Sequence, residues 1–133
     1  MKRRYPVESL QLVEMLCTDK IKFGGNITSM NTREQIHVLS EEMLENLGKL
    51  VAVDSQLGTP SEGKPFGEGP AEALEIGLEI ARELGFKTVN LDNYCGYAEM
   101  GEGEEIVGIA GHLDIVPVGG DWTYDPFKLT RDG

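Results

Sequence analysis

The sequence is poor in cysteine and in basic residues. Its 133 residues include two cysteines, Cys17 and Cys95, and no Cys-x-x-Cys pair, which argues against a disulfide framework and against a thiolate zinc site. Twelve Lys and Arg side chains stand against 23 Asp and Glu, so the net charge at neutral pH is −11. Nucleic acids and anionic membrane surfaces both attract clustered positive charge, and this balance argues against either partner.

Long apolar runs are also missing. No stretch of 18 consecutive apolar residues could form a membrane span, and acidic residues interrupt the segment after the basic start, where a signal peptide would be apolar. Since the two thiols do not suggest an oxidising compartment, we expect a cytoplasmic protein.

The acidic charge is unevenly distributed along the chain. Residues 1–34 carry six basic and four acidic side chains, whereas residues 35–133 carry six basic and 19 acidic ones. Clear periodic patterns also begin only after residue 35. We therefore predict an N-terminal extension over residues 1–34 and a structured region over residues 35–133. Two hypotheses explain the extension. It is either a disordered N-terminal arm, or a stretch included by a misassigned translation start when the true start is Met30.

Two stretches have apolar residues at the three- and four-residue spacing of amphipathic helices. The first helix is predicted from about Arg33 to Val53, with a capping box formed by Thr32 and Gln35. The second is predicted to begin at Pro70 and to end at Gly85, a left-handed cap. Six glycines and prolines between them predict a loop over residues 54–69.

A β pattern follows the helices. Short strands are predicted over residues 88–91 and 94–100, a hairpin-like turn over 101–104, and a long third strand over 106–116. The third strand reads as a continuous apolar run, which is typical of a strand buried on both faces. Two helices followed by a mixed sheet indicate an α/β fold.

His112 and Asp114 come at the end of this predicted third strand. Residues two apart in a strand face the same side, so the imidazole and the carboxylate are predicted to point together. Polar groups at the carboxyl end of a strand are where α/β folds bind ligands. The pair is compatible with metal ligation by an oriented histidine, with general base chemistry, or with a structural hydrogen bond that closes the strand.

Other polar residues are less informative. Ser55 and Ser61 lie in the predicted loop without a Gly-x-Ser-x-Gly elbow, so a serine nucleophile is unsupported. His37 falls within the first helix pattern and is interpreted as an ordinary helix residue. Asp121 and Asp125 are interpreted as turn residues.

The region around His112 resembles the first metal motif of a large metallopeptidase family. That family comprises carnosinases, aminoacylases, acetylornithine deacetylases and desuccinylases, and further segments resemble bacterial Xaa-His dipeptidases of the carnosinase-like branch. The segments that carry the resemblance are Gly111-His112-Leu113-Asp114-Ile115-Val116-Pro117, Gly120-Asp121-Trp122, Pro126-Phe127, Phe66-Gly67-Glu68-Gly69-Pro70, Asn93-Tyr94-Cys95-Gly96-Tyr97-Ala98-Glu99 and Gly101-Glu102-Gly103.

The resemblance implies a zinc-exopeptidase catalytic domain in which two zinc ions hold a water that attacks the peptide bond of a small dipeptide. By the same resemblance, His112 corresponds to a zinc ligand. Asp114 corresponds to the catalytic aspartate that orients the ring of His112. Residues 35–133 then form the N-terminal portion of that domain.

Members of this family are several times longer, and their remaining zinc ligands have no counterpart in this sequence. We therefore expect an N-terminal fragment of a dipeptidase that is inactive alone and whose natural partner is the missing C-terminal part of the same enzyme. Two alternatives stay open. One is an amidohydrolase that acts on N-acyl amino acids, as deacylases and desuccinylases do; the other is a non-catalytic stub.

Overall fold

The computed structural model describes residues 31–132, and its elements follow in simple order. They are helix α1 (Thr32–Val51), helix α2 (Glu68–Glu83), strand β1 (Lys87–Leu91) and strand β2 (Cys95–Glu99). The chain divides after His37 into two units, and every feature from Val38 onward belongs to the second. The predicted extension over residues 1–34 lies almost wholly outside the described residues, as does Met30. Among residues 31–132, no helix is both long and apolar enough to cross a membrane.

Helix α1 is capped one residue earlier than predicted. The side chain of Asn31 accepts the Glu34 N–H at 3.1 Å, and the Glu34 carboxylate accepts the Asn31 N–H at 3.0 Å. This is a capping box with the same spacing as the expected Thr32–Gln35 pair. Asn is a better cap than Thr, and an ionised carboxylate at a helix N-terminus gains from the dipole. These two preferences explain the register.

Helix α2 begins at Glu68, two residues before the predicted start at Pro70. Pro70 is tolerated there because N–H groups in the first helical turn have no intrahelical acceptor. The C-terminus follows the prediction: Gly85 has φ 90°, its N–H donates to Arg82 O, and Phe86 N–H donates to Ala81 O, both at 3.0 Å. This pair of bonds is a Schellman motif.

Strands β1 and β2 form an antiparallel hairpin in which Val89 pairs with Tyr97. Its turn uses left-handed backbone at Asp92 and Asn93, with Tyr94 N–H donating to Leu91 O at 3.0 Å. Helix α2 packs on this hairpin.

The contact between α2 and the hairpin depends on the absence of a side chain at Gly96. A Cβ at Gly96 would lie 3.1 Å from the Cδ1 atoms of both Leu74 and Leu78. The small core of the described residues sits on α2 and just after α1, at Val53, Ala71, Ala73 and Leu78.

The predicted third strand is the main error. Residues 106–114 have no regular secondary structure, and one isolated parallel bridge joins Ile115 to Gln56. Ile106 and Ile109 are 91% and 97% exposed, so the predicted burial on both faces is also wrong for this segment. The physical reason is that a central strand needs a hydrogen-bonded neighbour along each side, and residues 31–132 supply only the short contact with Ser55 and Gln56 at the end of the segment. The described sheet is therefore antiparallel and two-stranded rather than mixed.

Candidate functional site

His112 and Asp114 lie on the same side of the extended segment that precedes Pro117. The His112 Nδ1 atom is 3.4 Å from Asp114 Oδ1, and both side chains are open to solvent, at 82% and 68% exposure. The intervening Leu113 and the following Ile115 are less exposed, at 40% and 38%. The period-two alternation of a strand is therefore present here even though the ladder is missing.

The nearer acceptor for the imidazole is the main chain of Asp114. His112 Nδ1 lies 3.0 Å from Asp114 O, inside hydrogen-bond distance, whereas the carboxylate oxygen is 0.4 Å farther away. A neutral imidazole that donates Nδ1–H to this carbonyl has the lone pair on Nε2. Because the ring is exposed, Nε2 is accessible to a ligand from solvent.

Two contacts hold this segment against the rest of the second unit. Ser55 Oγ donates to Leu113 O at 2.8 Å, and Ile115 N–H donates to Ser55 O at 3.4 Å. On the other side, a Cβ at Gly77 of helix α2 would lie 3.0 Å from Leu113 Cδ1. The segment is thus fixed at Leu113 and Ile115, the two residues that flank Asp114.

The sequence pattern raises Ser55 only as a nucleophile and does not predict this contact. Ser55 is 2% exposed, whereas a serine in a glycine- and proline-rich loop is expected at the surface. The sequence feature that could have indicated this burial is spacing. Ser55 lies two residues after Val53, which is also buried, just beyond the end of α1.

The polar residues beyond Pro117 behave as turn residues. Asp121 adopts a left-handed backbone with φ 65°, and Asp125 Oδ1 accepts the Phe127 N–H at 2.9 Å. Both observations agree with the interpretation from sequence. Neither carboxylate forms a cluster with His112: within residues 31–132, no group of three or more His, Cys, Asp or Glu side chains could hold a metal ion.

His112 and Asp114 therefore fit one metal ligand and the acceptors that orient it. The described residues do not supply a complete set of metal ligands. An exposed Nε2 with a fixed Nδ1–H is the arrangement that a metal-ligating histidine adopts. A catalytic zinc ion takes about three protein ligands, so the other ligands would have to come from outside the described residues.

No family model matches the chain. It is similar to curated bacterial proteins: 39% identical over 105 residues to Beta-Ala-Xaa dipeptidase of Lactobacillus delbrueckii subsp. lactis, a match that covers 77% of this chain. It is 38% identical over 101 residues, 74% of the chain, to YtjP of Bacillus subtilis strain 168, a provisionally named dipeptidase. A third relative, from Staphylococcus aureus strain USA300 and provisionally named a dipeptidase, is 35% identical over 104 residues, 75% of the chain.

Each of these matches spans 22% of the relative's own length. The chain thus spans about a fifth of the length of these curated relatives. All three relatives have dipeptidase names and share more than a third of their matched residues with this chain, which is consistent with a bacterial dipeptidase family.

Proposed function

We propose that this chain is part of a zinc-dependent dipeptidase that hydrolyses the peptide bond of small dipeptides of the β-alanyl or Xaa-His type. The observation that carries the proposal is the exposed His112 ring with Nδ1 at 3.0 Å from Asp114 O and 3.4 Å from its carboxylate. The name of the Lactobacillus relative supports the β-alanyl substrate class.

In this proposal, His112 would hold a zinc ion through Nε2, and Asp114 would fix the orientation of the ring and the tautomer that leaves the lone pair on Nε2. Zinc, when bound, acts as a Lewis acid that activates water and polarises the scissile carbonyl. The contribution of the described residues is to present one imidazole in one tautomer on a fixed segment. In this proposal Asp114 acts through the ring of His112. The described residues place no further group of metal ligands beside it.

The same geometry explains why the 133-residue chain alone is proposed to bind zinc weakly and to hydrolyse nothing. One imidazole is too few ligands for a catalytic zinc ion. We propose that the remaining ligands lie in a longer cytoplasmic protein that includes this sequence.

The test is hydrolysis of β-alanyl-histidine by the complete product of the gene, with the zinc content measured on the same sample. His112→Ala should lower activity by more than about 100-fold and lower the bound zinc, because it removes a ligand itself rather than an outer partner. His37→Ala is the matched control, since His37 lies on α1, and it should leave both quantities unchanged.

Two other outcomes would redirect the assignment. Faster hydrolysis of N-acetyl or N-succinyl amino acids than of dipeptides would favour the N-acyl amidohydrolase. A folded complete product that neither binds zinc nor hydrolyses either substrate class would favour the non-catalytic stub and would refute the proposal.

A further inference from the structure

Ser55 is the buried polar residue of the described chain. At 2% exposure it is the one polar or charged side chain classed as buried between residues 31 and 132. Its hydroxyl is hydrogen-bonded, and no buried side-chain nitrogen or oxygen in this part of the chain is left without a partner. A polar group is stable at such a depth only when its hydrogen bond is formed, so the position of the acceptor is tightly constrained.

That acceptor is the carbonyl of Leu113, midway between the two candidate site residues. The Ser55 Oγ to Leu113 O distance is 2.8 Å, near the optimum for an O–H···O bond. The backbone carbonyl of Ser55 accepts a longer bond from Ile115 N–H at 3.4 Å. One residue thus contacts the main chain immediately before and immediately after Asp114.

The second of these bonds continues to the imidazole. The peptide group between Asp114 and Ile115 presents its N–H to Ser55 O and its carbonyl to His112 Nδ1, at 3.0 Å. If this peptide plane rotated, the carbonyl would leave Nδ1, and the ring would lose the nearer of its two Nδ1 acceptors, which weakens its preference for one tautomer. The orientation of His112 therefore depends on what holds that plane.

We propose that Ser55 is a positioning residue for His112, acting through the main chain of Leu113, Asp114 and Ile115. The inference deepens the proposed function, since a positioned imidazole matters only if His112 is a ligand. It assigns to the loop after α1 a part of the site that neither the metal motif nor the serine pattern indicated. The Leu113 side chain also packs at Gly77 of α2.

The experiment uses the 133-residue chain, labelled with ¹⁵N, and compares Ser55→Ala with the wild type. Two metal-independent quantities are measured: hydrogen exchange at the Ile115 amide, and the tautomer of His112 from its ring ¹⁵N shifts at a pH about two units above the ordinary histidine pKa. Ser61→Ala is the matched control, because the Ser61 hydroxyl is exposed and makes only a long 3.5 Å contact with Glu68.

Loss of one hydrogen bond should speed exchange at Ile115 about fivefold to tenfold and should shift His112 from the Nδ1–H towards the Nε2–H tautomer. Amides of α2 and of the β1–β2 hairpin should be unaffected. Unchanged exchange and tautomer in Ser55→Ala would overturn the inference. A uniform acceleration across α2 and the hairpin would also overturn it, because Ser55 would then act only on overall stability.

Ser55→Thr and Ser55→Cys keep the test decisive if Ser55→Ala does not fold. Thr retains the hydroxyl and should restore the wild-type tautomer, whereas the Cys thiol is a weaker donor and should give an intermediate tautomer ratio. A wild-type ratio in Ser55→Cys would contradict the inference.

Zinc content and activity of the complete product of the gene then separate this inference from the proposed function. If exchange and tautomer respond as expected in the 133-residue chain but the complete product neither binds zinc nor hydrolyses dipeptides, the proposed function fails and the positioning role stands.

Discussion

Asp114 offers His112 two acceptors, and their unequal distances decide how much the carboxylate can matter. The main-chain oxygen is 3.0 Å from Nδ1 and the carboxylate oxygen 3.4 Å. A substitution that removes only the carboxylate leaves the nearer acceptor in place. The side chain is also 68% exposed, where solvent screens its interaction with the ring.

We therefore predict that Asp114→Ala in the complete protein weakens zinc binding only about tenfold, the lower end of the range for an outer partner of a ligating histidine. The zinc dissociation constant, measured by competition with a chelator, tests this. Asp132→Ala is a suitable control because the Asp132 carboxylate accepts its hydrogen bond from the Tyr124 hydroxyl and not from His112. A loss as large as that of His112→Ala would mean that the carboxylate is itself a ligand.

At the scale of elements, the helices and the hairpin could be predicted because their signals are local. Periodicity and the glycine at the C-terminus of α2 are read within one segment, and the structure places that helix end at Glu83 with Gly85 in the left-handed region. Errors at helix starts were small and came from competing local signals, such as two capping boxes in adjacent registers. The third strand could not be predicted in this way, because a strand is stabilised by neighbouring strands that are often distant in sequence.

The candidate site, like the fold, was predicted where its geometry is local and was not predicted where it depends on distant residues. The same-side placement of His112 and Asp114 follows from extended backbone alone and did not require the missing ladder. The contact from Ser55 spans 58 residues of sequence and has no local signature. Long-range hydrogen bonds of this kind are visible only in the structure.

The C-terminal motif of α2 gives a second prediction. Gly85→Ala should destabilise the chain by about 1 kcal/mol, because a side chain in the left-handed region is penalised and φ at Gly85 is 90°. The midpoint of urea unfolding measures the effect. Gly120→Ala is the control, since a Cβ there meets no atom within 4 Å and Gly120 does not have a positive φ. Equal midpoints for the two variants would contradict the role of the Schellman motif.

Over the molecule as a whole, the described apolar side chains are poorly covered. Helix α1 buries none of its residues within the described part of the chain, and Ile36 and Met43 of its apolar stripe are 57% and 60% exposed. One ion pair joins α1 to the segment after Pro126: Arg131 lies 2.7 Å from the carboxylate of Glu41. This hydrogen bond and the charge of Glu41 raise the pKa of Arg131, which stays protonated in any case.

Residues 106–110, just before His112, have apolar side chains. Their main-chain N–H and C=O groups are not part of a strand ladder within the described residues. Ile106, Val107 and Ile109 are 91%, 86% and 97% exposed. An apolar segment whose main-chain groups have no strand partner is a template for pairing with another strand, and its side chains would be buried when it pairs. We therefore predict that the isolated 133-residue chain self-associates through residues 106–110, with the antiparallel hairpin remaining intact.

Ile109→Lys should weaken that association about tenfold or more, because an apolar side chain of this size contributes about 1.5–3 kcal/mol on burial and a lysine at a strand edge opposes pairing. Sedimentation velocity over a concentration series gives the association constant. Thr59→Lys adds the same charge at an exposed position outside the segment and controls for the change in net charge. If both lysine variants weaken association equally, long-range charge repulsion rather than strand pairing governs it; if the wild type stays monomeric, the exposed segment is not an association surface.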